Sequence, residues 1–220
     1  MSGQQPPLPP PQPPPQLPLP LAVLASGAGS TLQAILQAAR QGTVPVQVRL
    51  VVSDRPGAGA LAIARAEGVA ARVVPPGPAA DAHLCTLLGD AAVWLVVLAG
   101  YLRRVGPLCR SAFPGRMINL HPSLLPLFGG RGMYGEHVHR AVLAAGAKVS
   151  GATVHLVDES YDTGPLLAQW PVAVLPGDTV ESLAARLRPV EHRLLLGVLR
   201  AIACGLPLPA WPGTGLPPWP

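Results

Sequence analysis

Three short stretches of the chain bring together residue types that could carry out chemistry. The first is Asn119-Leu120-His121-Pro122-Ser123. Successive side chains of a strand alternate between its two faces, so Asn119 and His121 point the same way. An amide donor beside a group that titrates near neutral pH suits acyl-type transfer through a tetrahedral intermediate. The amide is then aimed at the oxyanion and the imidazole handles a proton. Taken alone, the pair also fits a capping Asn and a buried, hydrogen-bonded His. The second stretch is Asp158-Glu159-Ser160-Tyr161-Asp162-Thr163-Gly164. Such an acidic turn is commonly just solvated, yet an Asp162 within reach of His121 would orient the imidazole and raise its pKa. His155, on the segment leading into this turn, could line the same cleft. The third is Ser26-Gly27-Ala28-Gly29-Ser30-Thr31, at the opening of a helix. Its glycines permit a tight turn, and a helix N-terminus offers free N–H groups and partial positive charge to an anion. Ser30 or Thr31 could cap the helix or touch a phosphate. The stretch is neither a Walker A loop, which needs a Lys, nor G-x-G-x-x-G, since Gln33 and Ala34 follow. A plain strand-to-helix turn fits it as well.

Other chemistries find little support. No G-x-S-x-G nucleophile elbow is present. The three cysteines (Cys85, Cys109, Cys204) are odd in number, widely spaced and outside any C-x-x-C pair. They read as reduced thiols in a cytoplasmic protein rather than as disulfides or a zinc site. His83, His137, His139 and His192 fall in predicted helices, and His137 and His139 do not share a helical face, so no metal site is expected. Formal net charge is +5, from 15 Arg and the single Lys148 spread along the chain, and aromatic residues make up 4%. Without a basic stripe or a stacking platform, nucleic acid is not an expected partner, whereas anionic small molecules are. No apolar run approaches the roughly 18 residues of a spanning helix. No basic stretch precedes an apolar core at the N-terminus, so neither a membrane partner nor a secretory leader is expected.

The elements that must position these residues come from a chain of 220 residues, 49% hydrophobic and 12% charged, enough for one sizeable core. Ten of the 29 prolines precede residue 21 and six follow residue 206. The folded part is therefore expected over 21–205, between proline-rich tails at 1–20 and 206–220, the first read as polyproline II or disordered. Apolar runs at 21–25, 46–53, 70–74, 93–99, 116–121, 149–159 (with a bend at Gly151) and 166–175 read as strands. Helical spacing covers 31–41, 58–67, 81–88, 102–112 (broken near Gly106-Pro107), 134–145 and 179–204. This alternation predicts an α/β fold: an open, mostly parallel twisted sheet with helices on both faces. The short link between the last two runs suggests one late antiparallel strand. Ligands of such sheets bind beyond the carboxyl ends of the strands, where all three stretches lie.

Four motifs in order, SGAGST at 26–31, VVLAGYLRRV at 96–105, NLHPSLLP at 119–126 and VHLVDESYDTGP at 154–165, resemble the folate-dependent formyltransferases. Within that family they are most similar to the phosphoribosylglycinamide formyltransferases, over about residues 21–205. The resemblance implies a Rossmann-like fold and transfer of the formyl group of 10-formyltetrahydrofolate, a co-substrate, to the amine of glycinamide ribonucleotide in purine biosynthesis. It implies no metal and no covalent enzyme intermediate. Asn119, His121 and Asp162 would form the catalytic set. Gly27, Gly29, Ser30 and Thr31, with Arg188 and Glu191, would hold the ribonucleotide. Leu102, Arg103, Arg104 and Val105 would line the folate site through their backbone, with Asn119 and the loop Asp158, Glu159, Ser160, Tyr161 and Asp162. Alternatives are a relative with another acceptor, a formyltetrahydrofolate hydrolase, or an inactive folate-binding protein.

The chain departs from the family pattern in three places. Ala28 and Thr31 stand where members often carry Asn. The stretch before the fourth strand, PPGPAADAHLCTLLGD at 75–90, lacks the basic residue found near the folate glutamate tail. FGGRGMYGEHVH at 128–139 replaces a shorter form, and its Arg131 is a candidate for the missing charge.

Overall fold

The computed structural model describes residues 17–209. Most of both proline-rich ends, residues 1–16 and 210–220, lies outside the described residues, and so does the polyproline II expectation for the first. Seven strands and six helices alternate: β1 (Leu19–Leu24), α1 (Ser30–Arg40), β2 (Val46–Ser53), α2 (Gly59–Ala66), β3 (Ala70–Val73), α3 (Ala80–Asp90), β4 (Leu95–Leu98), α4 (Pro107–Ala112), β5 (Met117–His121), α5 (Glu136–Ala144), β6 (Val149–Leu156), β7 (Leu166–Ala173) and α6 (Val180–Cys204).

The strands form one sheet in the order β3-β2-β1-β4-β5-β6-β7. All neighbours are parallel except those of β6, which runs antiparallel to both β5 and β7. The chain thus forms a mostly parallel sheet with one late strand reversed, as the alternation of elements predicts.

The sheet is covered on both faces because its central strands are apolar on both. Leu19, Leu21 and Val23 of β1 face a core shared with α1, α2 and α6, while Ala22 and Leu24 face a second core shared with α3 and α4. Leu32 and Ile35 of α1 are fully withdrawn from water, each burial stabilising by roughly 1.5–3 kcal/mol. The β1–β2 register shifts between Leu21 and Ala22, which leaves Arg49 as the extra residue and sends Leu50 and Val51 to opposite cores. A third cluster joins Val138 and Val142 of α5 to Leu183 and Leu187 of α6 and Val172 of β7.

Several local expectations are corrected. β1 starts at Leu19, ahead of the expected 21–25, since Leu19 is fully buried and its N–H bonds the Pro45 carbonyl. The helix expected over 102–112 is confined to Pro107–Ala112. Pro107 occupies its first turn, and the preceding residue is pushed to extended geometry, so a helix cannot run through it. Residues 102–105 are therefore free to line the site as a loop. The β6 run ends at Leu156, and its irregularity falls between Val154 and His155 rather than at Gly151.

Candidate active site

The carboxyl ends of β1, β4 and β5 open onto a cleft of about 820 Å³, a size suited to small molecules. Segments 27–31, 98–105, 119–122, 130–136 and 157–162 line it, together with Arg188 and Glu191 on α6. Every residue assigned above to the catalytic, ribonucleotide or folate set reaches this cleft except Glu159, whose exposed side chain stays outside while its carbonyl accepts from Arg104 at 3.3 Å. The carboxylate of Asp158 is taken up within its own loop, accepting from Thr163 Oγ1 at 2.8 Å and from the Ser160 N–H at 3.1 Å.

The glycine turn between β1 and α1 closes through its backbone. Gly29 is the cap residue of α1, with φ +88° and no side-chain cap bond. Neither Ser30 nor Thr31 caps the helix, so the first-turn N–H groups remain available to an anion. A Cβ on Gly29 would lie 2.7 Å from Ala60 Cα, so only glycine lets α2 pack this closely. Ser26 ties this turn to the next segment. Its N–H donates to the Gly100 carbonyl at 3.0 Å and its Oγ accepts from the Leu102 N–H at 3.0 Å.

At the end of β5, Asn119 and His121 share the cleft face, as strand alternation requires. Asp162 enters from the loop after β6 with φ +59°, a conformation costing a non-glycine residue on the order of 1–2 kcal/mol. This conformation turns the carboxylate inward between two imidazoles. Its Oδ2 lies 3.5 Å from His121 Nδ1 and its Oδ1 lies 3.5 Å from His155 Nε2. Asn119 Nδ2 donates to Oδ1 at 3.2 Å and the Gly130 N–H donates to Oδ2 at 2.9 Å. Asn119 Nδ2 also lies 3.1 Å from His155 Nε2.

The outer nitrogen of each imidazole meets a carbonyl. His121 Nε2 lies 2.9 Å from the Phe128 oxygen, and His155 Nδ1 lies 2.7 Å from the Leu156 oxygen. A carbonyl only accepts, so these nitrogens carry the hydrogens. In each neutral ring the other nitrogen, facing Asp162, is then the free base. The loop supplying Phe128 and Gly130 is held from behind. Thr153 Oγ1 donates to the Ser123 carbonyl, and Gln169 Nε2 donates to the Leu125 carbonyl at 2.9 Å.

The electrostatics correct one expectation. Asp162 does favour the charged form of His121, but burial of the imidazole outweighs it and the His121 pKa lies below its ordinary 6.5. Burial opposes ionisation of Asp162 too. There the two facing imidazoles, His155 ahead of His121, and the Gly130 N–H together prevail, and its carboxyl titrates below the usual range. On α6, burial pushes the Glu191 carboxyl up to about 7, with Arg188 opposing the shift. A capping box of Thr179 and Ser182 starts this helix, and Arg186 grips Asp178 with two bonds at 2.6 and 2.7 Å.

Sequence reasoning missed His139. It is buried, lines the cleft, and its Nδ1 finds no hydrogen-bond partner among the described residues. Its place on the α5 face that meets α6 was the one available signal. His155, which its strand position places at the cleft, is in contact with both Asp162 and Asn119 and so joins the site.

The formyl transferase family model matches residues 19–199. A phosphoribosylglycinamide formyltransferase of Arabidopsis thaliana, chloroplastic, is 42% identical over 187 residues, covering 82% of this chain. This chain spans 64% of that relative's length, under two thirds of it. The phosphoribosylglycinamide formyltransferase of Mycobacterium tuberculosis H37Rv is 43% identical over 192 residues, covering 82% of this chain and 83% of its own. Among solved structures, glycinamide ribonucleotide transformylase 1 of Symbiobacterium toebii superposes with a TM-score of 0.80 at 44% identity, covering 85% of this chain and 88% of that one. A match of this extent over the very strands and loops that build the cleft shows that the chain belongs to the formyl transferase family.

Proposed function

We propose that the protein transfers the formyl group of 10-formyltetrahydrofolate to the amine of glycinamide ribonucleotide. The observation that carries this reading is the placement of the Asp162 carboxylate between His121 Nδ1 and His155 Nε2, with Asn119 beside them. The same cleft holds an uncapped helix N-terminus, Arg188 and Glu191. The free N–H groups of α1 and the Arg188 guanidinium suit the ribonucleotide phosphate. Glu191 suits a sugar hydroxyl, which a protonated carboxyl can serve as donor or acceptor. The loops at 100–105 and 157–162 take the folate.

The amine nitrogen attacks the formyl carbon, and the carbonyl oxygen gathers negative charge. An amide hydrogen of Asn119, redirected from its resting partners, stabilises that oxyanion. The proton lost by the attacking nitrogen passes to His121 Nδ1, where Asp162 is the counter-ion. Its lowered pKa favours a neutral His121 at rest, and the imidazole carries charge only during turnover. The same proton is returned to the folate nitrogen as the carbon–nitrogen bond breaks, leaving tetrahydrofolate and the formylated amine. The three cysteines are free, which suits a reducing cytoplasmic setting, and no helix of the described residues is long and apolar enough to cross a membrane.

A folate absorbance assay tests the proposal. Purified protein is mixed with 10-formyltetrahydrofolate, with and without glycinamide ribonucleotide. Turnover requiring the ribonucleotide is the expected result, while turnover without it identifies a hydrolase and overturns the reading.

A further inference from the structure

We infer that Asp54 is a positioning residue for the reaction, acting through the Ser26 hydroxyl to fix the backbone of Leu102 where the folate is received. The inference rests on the formyl-transfer reading above and adds two residues that stand behind the cleft rather than line it.

Ser26 follows β1 and is buried. Its backbone N–H donates to the Gly100 carbonyl at 3.0 Å. Its Oγ donates to Asp54 Oδ1 at 2.5 Å and accepts from the Leu102 N–H at 3.0 Å. A carboxylate oxygen only accepts, so the single hydroxyl hydrogen is committed to Asp54. A lone pair of the hydroxyl is thereby turned towards Leu102, and the carboxylate charge strengthens the chain of bonds. Asp54 follows β2, is half-buried and, among the described residues, has no ion pair to draw its carboxylate away. Its charge also reaches Tyr101 on the cleft wall. Burial pushes the Tyr101 hydroxyl up to about 12, and Asp54 adds to the shift.

The segment from Gly100 to Gly106 belongs to no helix or strand, so it takes its position from tertiary bonds. Within 101–105, Leu102 has the one N–H bonded to another described residue. The N–H groups of Arg103, Arg104 and Val105 are left for a ligand, and all three residues line the cleft. Both ties of this segment to the first strand, at Gly100 and at Leu102, end on Ser26. Loss of the relay should therefore loosen the folate more than the ribonucleotide. The glycine turn keeps its own bond, from the Ala60 N–H to the Gly27 carbonyl at 3.2 Å, and its close packing on α2.

The test measures turnover and both Michaelis constants in the unsubstituted protein and in Asp54→Ala, Asp54→Asn, Ser26→Ala and the double alanine variant. Loss of one charge-assisted bond predicts a folate constant raised about tenfold in Asp54→Ala and in Ser26→Ala, with the ribonucleotide constant within about twofold. The double variant should match Ser26→Ala, because Asp54 acts only through that hydroxyl. Asp54→Asn keeps an acceptor oxygen and loses the charge, so it should restore most of the affinity and remain about threefold weaker than the parent. A purely structural role would lower Tm and leave the ratio of the two constants unchanged. An unchanged ratio in Asp54→Ala, or single effects that multiply in the double variant, overturns the inference. If an alanine variant fails to fold, Asp54→Asn decides. Its folate constant should rise and its Leu102 amide should exchange hydrogen faster than the parent's, and either one unchanged overturns the inference. If the unsubstituted protein turns over no 10-formyltetrahydrofolate, the formyl-transfer reading itself fails. Calorimetric dissociation constants for tetrahydrofolate in the same proteins then decide the relay by the same pattern, and absence of tetrahydrofolate binding overturns both.

Discussion

Asp162 Oδ2 lies 3.5 Å from His121 Nδ1, and both side chains are nearly withdrawn from water. On its other oxygen, Asp162 faces His155 at the same separation. One carboxylate thus serves two imidazoles whose outer nitrogens meet backbone carbonyls. With the outer nitrogens so engaged, each neutral ring presents only the nitrogen facing Asp162 to an incoming proton.

Replacing Asp162 by Asn preserves the size of the side chain and removes the counter-ion. Turnover should fall by about 10²–10⁴ while both Michaelis constants change little, because the loss is felt only when His121 becomes charged. Steady-state kinetics with each substrate varied in turn checks this. A variant within about twofold of the parent rate would rule out the role assigned to Asp162.

The raised pKa of Glu191 makes a stability prediction with a definite sign. A carboxyl with an ordinary value of 4.5 that titrates at about 7 in the folded chain holds more protons there than when unfolded. Its contribution to stability is fully present below pH 4.5 and is lost as pH rises towards about 7. Glu191→Gln removes this loss. Its Tm relative to the parent should climb between pH 4.5 and about 7 and level off above. His121, His139 and His192, all held below 6.5 by burial, act in the opposite direction in both proteins and cancel in the comparison. A Tm difference that stays flat across this window would contradict the buried state of Glu191.

Gly29→Ala should both destabilise the fold and weaken the ribonucleotide. The residue has φ +88°, and the new Cβ would press on Ala60 Cα at 2.7 Å. Left-handed strain and overpacking together predict a cost of about 2–4 kcal/mol. The Michaelis constant for the ribonucleotide should rise more than that for the folate, since the turn faces the proposed phosphate site. Denaturant unfolding and the two constants provide the check.

A chain begun at Leu21 should be less stable than one begun at Leu17. The shorter chain loses the buried Leu19 side chain, the Leu19 bond to Pro45 and the Pro20 bond to Trp94. About 2–4 kcal/mol follows from one leucine burial and two backbone bonds. Equal unfolding midpoints would show that β1 does not need its first two residues.

The layered α/β architecture is legible in the amino-acid pattern alone. Strands buried on both faces must be continuous apolar runs, and Leu21–Leu24 and Leu95–Leu98 are such runs, separated by helices with one apolar stripe. The pattern also determines that Asn119 and His121 share a face, because that depends only on a period of two. The end of the first strand was less legible, since Pro20 and a proline-rich approach mask a buried Leu19. The composition of 102–106 suits a helix, but Pro107 stops one from running through it. The surroundings of Asp162 exist only in the folded chain. Its left-handed backbone, its reach across to β5 and its contact with His155 depend on the antiparallel placement of β6 beside β5 and on a loop from 122–130 folding back to offer Phe128 and Gly130. The sign of the His121 shift was likewise beyond the sequence. It is a balance between a nearby charge, which residue types can suggest, and desolvation, which exists only once the surrounding elements have closed around the ring.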